Sequence, residues 1–124
     1  VPMETFPTVN YIDVLKRMQD YWHEASKAYS VPYYPNVTMG WDSSPRTIQS
    51  DVFENIGYPY TSVYVNNTPA NFKLALQEAK KFIDKSNLSI ININAWNEWT
   101  EGTYLEPDIK NKYGYLESIQ KVFK

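Results

Sequence analysis

The segment Trp96-Asn97-Glu98-Trp99-Thr100-Glu101-Gly102 sets two carboxylates three residues apart among two indoles. On a turn or a short helical start, that spacing lets both carboxyls reach one small cavity. Two carboxylates in a Trp-lined pocket can cleave or form a glycosidic bond. One is held protonated as an acid by desolvation against the indoles while the other stays ionised. A plainer account also fits, in which the glutamates are solvated loop carboxylates and the tryptophans cover a core edge. Upstream, Asp42 and Arg46 lie four apart. They either pair with each other and shape a loop, or line a sugar pocket and bind hydroxyls or a phosphate bidentately. Trp41 can stack on a pyranose face or fill a core, and Glu106 before Pro107 is either an acid supporting the site or a helix-entry residue. Tyr58, Tyr60 and Tyr64 make either an aromatic platform or the packing face of an edge strand. The single His23, beside Trp22, reads as a surface or packing residue.

These groups need elements to position them. Apolar residues at Tyr11, Val14, Leu15, Met18, Tyr21, Trp22, Ala25 and Tyr29 have helical spacing, and Asn10 followed by Asp13 is a start signal, so a helix is predicted over 11–28. Pro32 and Pro35 end it, and Val37 to Trp41 reads as a strand stopping at Asp42. Residues 42–67 show no sustained period and are long for a connection in a compact domain. They form a functional loop or hide a strand over 60–65. Thr68-Pro69 starts a second helix with Phe72, Ala75, Leu76, Ala79, Phe82 and Ile83 on its apolar face, ending near Lys85. Leu88 to Ala95 is a predicted strand, and Tyr115, Leu116, Ile119, Val122 and Phe123 give a closing helix. The order α-β-loop-α-β-α has the rhythm of a parallel α/β sheet or barrel. In the second strand Ile91, Ile93 and Ala95 share one face, and Asn92, Asn94, Trp96 and Glu98 share the other. That polar row climbs toward the carboxyl end, where barrels and open α/β sheets place their active sites.

Composition narrows the chemistry. The 124 residues suffice for one domain, expected over 1–124 with no internal boundary, so a fold needing 200 residues is present only in part. Twelve basic and 14 acidic residues, scattered along the chain, give a net charge of −2 and argue against a nucleic-acid or anionic-membrane surface. The absence of Cys removes disulfides and thiolate sites, and one His cannot supply a His-rich metal centre or a Ser-His-Asp triad; no metal or cofactor is expected. No apolar run reaches 18 residues and no secretory pattern opens the chain, which favours a cytoplasmic location without membrane insertion. Four Trp, 11 Tyr and 5 Phe tilt the chain toward binding amphipathic ligands such as sugars. The Asn-x-Ser/Thr triplets at Asn36, Asn66 and Asn87 are no more than such a composition produces by chance.

The string Trp96-Asn97-Glu98-Trp99-Thr100-Glu101-Gly102-Thr103, continuing through Tyr104-Leu105-Glu106-Pro107 to Tyr113-Gly-Tyr-Leu116, closely resembles the signature of the WbsX-type glycosyltransferases. Val37 through Gly40-Trp41-Asp42 to Pro45-Arg46 resembles their upstream block, so the resemblance runs from about Pro35 to the C-terminus. That family is itself similar to the endo-α-mannosidase-like glycoside hydrolases. The resemblance implies the C-terminal portion, roughly the last third, of a (β/α)8 TIM-type barrel. It also implies that Glu98 matches a glutamate acting as base on a sugar 2-hydroxyl, and Glu101 the acid assisting the leaving group. Thr100 stands where the mannosidases usually carry His, and Tyr104-Leu105 replaces a more polar pair, which points away from a mannosidase substrate.

The expectation is therefore a piece of a carbohydrate-active enzyme, glycosyltransferase or glycoside hydrolase, serving bacterial polysaccharide or lipopolysaccharide biosynthesis as the resemblance implies. Glu98 and Glu101 are its catalytic pair. Trp41, Asp42, Arg46, Asn94, Trp96, Asn97, Trp99, Tyr104 and Glu106 are its substrate-binding candidates, and its partner is a glycan. The alternatives are a non-catalytic glycan-binding module and a structural module. A barrel cut to two or three strands leaves open sheet edges, so the piece is expected to lack turnover by itself and to form a homodimer.

Overall fold

The computed structural model describes residues 5–124. It is a mixed α/β arrangement. β1 (Thr8–Asn10) leads directly into α1 (Tyr11–Ala28), followed by β2 (Asn36–Thr38) and β3 (Val63–Val65). Then come α2 (Pro69–Lys85), β4 (Asn92–Asn94), a hairpin of β5 (Asn97–Glu98) and β6 (Thr103–Tyr104), and α3 (Gly114–Phe123). A strand thus precedes the first helix, and the long connection does carry a strand near its end.

Both long helices begin where their capping residues stand. The Asn10 side chain accepts a hydrogen bond from Ile12 N (3.0 Å), and the Thr68 hydroxyl accepts one from Asn71 N (3.2 Å), each satisfying a donor that the first turn leaves open. α2 buries all six residues of its predicted apolar face. α1 buries Tyr11, Val14, Leu15, Trp22 and Ala25, whereas Tyr21 and Tyr29 remain exposed at the rim of its stripe.

The core lies where α2 meets its neighbours. Phe82 packs beside Trp22 of α1 (5.9 Å between ring centres), Phe72 meets Tyr115 of α3 edge-on (5.6 Å), and Val37 of β2 and Met39 just after it come in from the strand side. Each buried Leu or Phe contributes about 1.5–3 kcal/mol of transfer free energy, so this seam fixes the helices against the strands. α3 is also tied to the start of α2. Tyr115 Oη donates to Asn67 O (2.7 Å) and Ser118 Oγ to Pro69 O (2.8 Å). A side chain at Gly114 would meet the Pro69 ring at 2.7 Å.

The strands form three pairs. β2 and β4 run parallel with Val37 opposite Ile93, and α2 lies in the connection between them, which makes a β-α-β unit. β1 and β3 form a second parallel pair, and β5 and β6 an antiparallel one. One backbone bond, Tyr64 N to Trp41 O (2.9 Å), ties β3 to the segment leaving β2. The predicted 88–95 strand shrinks to Asn92–Asn94. Its partner would be the stretch ending at Pro35, whose ring nitrogen has no hydrogen to give, and pairing starts only with Asn92 N on Pro35 O (2.9 Å). The facing is as the alternation implies: Ile91 and Ile93 pack on the core, while Asn94 opens into a cavity on the other side. No helix among the described residues is long and apolar enough to cross a membrane.

Candidate active site

Beyond the carboxyl end of β4 the chain turns into the β5–β6 hairpin, whose tip is a 3-10 turn at Trp99–Glu101 closed by Gly102. Gly102 adopts φ 62°, and a Cβ there would sit 2.7 Å from Asp42 Cβ, so the tip lies directly against the segment leaving β2. The contact is made by main chain: Asp42 N donates to Glu101 O at 2.7 Å. Under the hairpin, the buried Thr103 hydroxyl donates to Asn94 O (2.5 Å) and lies 2.9 Å from Thr38 Oγ1, whose own hydroxyl donates to Gly40 O (2.7 Å). This buried row of hydroxyls joins β4, β2 and the hairpin, because a polar atom buried there without a partner would be costly.

The two glutamates come together around one cation. Arg46, from a 3-10 turn at Ser44–Arg46, places Nη2 2.7 Å from Glu98 Oε1 and Nε 3.8 Å from Glu101 Oε2. Tyr58 Oη donates to Glu101 Oε2 at 2.6 Å, and that bond, followed by burial, pushes the Tyr58 phenol above its ordinary value. Arg46 and Tyr58 both belong to the 42–62 loop, which therefore grips both carboxylates. The Asp42–Arg46 ion pair weighed from their spacing does not form as the loop's organiser. Arg46 turns to the glutamates, and Asp42 Oδ1 instead accepts from Ser44 N (3.0 Å).

The remaining candidates fall in two other places. Trp41 and Asn94 share a cavity of about 410 Å³ with Asn36, Thr38 and Tyr64, and the Trp41 indole donates to Thr61 Oγ1 (3.0 Å). Trp99 stacks flat on Tyr104 (3.7 Å between ring centres, 13° between planes), and its N–H donates to Glu106 Oε1 (2.9 Å). Tyr104 Oη donates to Asp108 Oδ2 (2.8 Å). Desolvation and this bond push the Tyr104 phenol up to about 12. Asp108 is held below its ordinary value: desolvation works the other way, but hydrogen bonds from Asn111 N, Tyr104 Oη and Lys112 N outweigh it. Asn97 faces solvent in β5 opposite Tyr104, and Trp96 is 54% exposed. The three loop tyrosines make no single platform. Tyr58 sits beside Trp41, Tyr60 beside Phe53 with its hydroxyl on Asp51, and Tyr64 in β3.

The residues that spacing did not single out are Tyr58 as a partner of Glu101, Thr103 and Asp108. Tyr58 is 43 positions from Glu101, so no local pattern could reveal the contact.

A family model described as "Glycosyltransferase WbsX" matches residues 4–119. The chain belongs to the WbsX glycosyltransferase family. Among curated proteins it is similar to the protein named "Uncharacterized protein WxcX" in two strains of Xanthomonas campestris pv. campestris, B100 and ATCC 33913, with 30% identity over 91 residues in each. The matched stretch covers 71% of this chain and 12% of the length of those relatives. No solved structure matches the chain.

Proposed function

We propose that the chain is the C-terminal part of a carbohydrate-active barrel enzyme in which Glu98 and Glu101 work as a pair on a glycosidic bond, in the assembly of a bacterial polysaccharide. The observation that carries this reading is the convergence of both carboxylates on one guanidinium just past the carboxyl end of a parallel strand. The β2–α2–β4 unit supports the barrel, since barrels are built by repeating such units.

The chemistry asks little beyond what is in place. In transfer, the attacking hydroxyl gives its proton to one carboxylate as its oxygen bonds to the anomeric carbon. The bond from that carbon to the departing oxygen breaks, and the second carboxyl supplies a proton to that oxygen. With Glu98 as base and Glu101 as acid, the Arg46 contact to Glu101 is given up as the anomeric centre enters, and Glu101 takes a proton from solvent, which it then passes to the departing oxygen. Trp41 and Asn94, in the neighbouring cavity, bind the sugar. Hydrolysis would use the same pair with water as acceptor.

Glu98→Gln and Glu101→Gln in the full natural protein test this. Each is expected to lower turnover by about 10²–10⁴-fold while sugar affinity is kept. Full turnover in both variants rejects the paired mechanism. Sugar binding without turnover in the unmodified protein selects a binding-only role, and no sugar binding at all selects a structural one.

A further inference from the structure

Antiparallel partners share a face, so in the β5–β6 hairpin Glu98 lies on the side of the buried Thr103, and Tyr104 on the opposite side with Asn97. The stacked Trp99–Tyr104 pair therefore stands apart from the carboxylate cleft, and it borders an open groove of about 560 Å³ completed by Pro107, Asp108, Ile109 and Lys110. Both rings are immobilised. The indole N–H is held by Glu106 and the phenol O–H by Asp108, which is itself fixed by Asn111 N. Yet Trp99 remains 44% exposed.

An exposed aromatic whose polar atom is already satisfied inside the protein offers a ligand its flat ring face, at little cost in lost side-chain freedom. The rim beside it carries a carboxylate and an ammonium, Asp108 and Lys110. An apolar plate with one acceptor and one donor at its edge matches a pyranose, which has an apolar C–H face and a ring of hydroxyls. The groove's volume lies within the range of small-molecule sites. Resting on the glycan reading above, we propose that this groove is a second saccharide-binding position, which holds a ring of the glycan away from the reacting bond; the substrate is then an oligosaccharide rather than a single sugar.

Fluorine NMR of the chain labelled with fluorotryptophan tests this, since its four tryptophans, Trp22, Trp41, Trp96 and Trp99, give separate reporters. The probes are α-linked trisaccharides of glucose, mannose and galactose with their methyl monosaccharides. At least one trisaccharide is expected to shift the Trp99 resonance, in the unmodified chain and in Glu98→Gln/Glu101→Gln alike, and to bind at least fivefold more tightly than its monosaccharide. Lys110→Glu, on the exposed rim, should weaken that binding without disturbing the fold, and Trp99→Ala should abolish the preference for length. A trisaccharide that moves Trp41 or Trp96 and leaves Trp99 still overturns the second position and leaves the glutamate reading standing. Absence of any shift at Trp99 with every probe overturns it as well, and the turnover assay of the glutamate variants then judges the first reading separately.

Discussion

Arg46 and Thr103 show how differently two polar residues serve the same hairpin. Arg46 and Glu98 are each more than a third exposed, and exposed pairs contribute about 0–1 kcal/mol, so Arg46→Ala should leave the denaturation midpoint almost unchanged while loosening the glutamates. Denaturant unfolding of that variant checks the first half of the statement, and a clear drop in stability would contradict it. Thr103 is fully buried, and its hydroxyl serves the Asn94 carbonyl. Thr103→Val keeps the shape and removes the donor, leaving that carbonyl unsatisfied, so a loss of about 1–3 kcal/mol is expected in the same experiment. The tyrosines carry a pH signature. Burial pushes Tyr115 up to about 12, as desolvation does for Tyr104, so their neutral forms favour the folded state. That contribution is whole below pH 10, the ordinary tyrosine value, and disappears as pH climbs through about 12. Stability should thus fall between those values, with late-titrating tyrosinate absorbance marking the change. Ionisation of all 11 tyrosines near pH 10 in the folded chain would refute it.

Among the elements, the hairpin depends on Gly102. Any side chain there meets both a left-handed backbone and the Asp42 backbone at under 3 Å. Gly102→Ala is expected to destabilise by more than about 1 kcal/mol and to release the Arg46–Glu101 contact. Thermal unfolding, together with reduced turnover of the full protein, would register it. The helices were legible in the sequence because helical order is local: the 11–28 and 69–85 stripes and their Asn10 and Thr68 caps carry all the required signals within a few residues. That Glu98 and Glu101 lie on one tight turn was legible for the same reason. β1 and β3 were harder, since each is three residues long and exists through a partner more than 50 positions away, and no alternation can establish itself over such a length. The grip of Arg46 on Glu98 spans 52 positions, and nothing near Arg46 distinguishes it from pairing with Asp42.

At the scale of the molecule, the two parallel pairs, joined by the Tyr64–Trp41 backbone bond, leave strand edges that a larger sheet would fill. Ile90, just before β4, and Ile48, Val52 and Ile56 on the long loop expose more than half of their surface. Apolar side chains beside unpaired edges favour association, and the 124-residue chain is expected to form a two-fold dimer at micromolar concentration. Sedimentation velocity decides this. A strictly monomeric, folded species would mean that the loops cover these edges themselves. On the barrel reading proposed above, the same chain should show negligible turnover alone, because a barrel gathers its substrate contacts from the ends of more strands than the described residues contain.

Gly40 and Gly102 touch through main chain, a Cβ on Gly40 falling 2.8 Å from the Gly102 carbonyl, and the backbone of Glu101 is fastened by the Asp42 amide while Arg46 and Tyr58 hold its carboxylate. Main-chain groups survive every substitution except proline. The exposed neighbours of the acid pair, Thr100 and Trp96, can accordingly drift across descendants of this sequence while the carboxylates keep their place. Such a frame lets the surface around the hairpin change while its backbone geometry is kept.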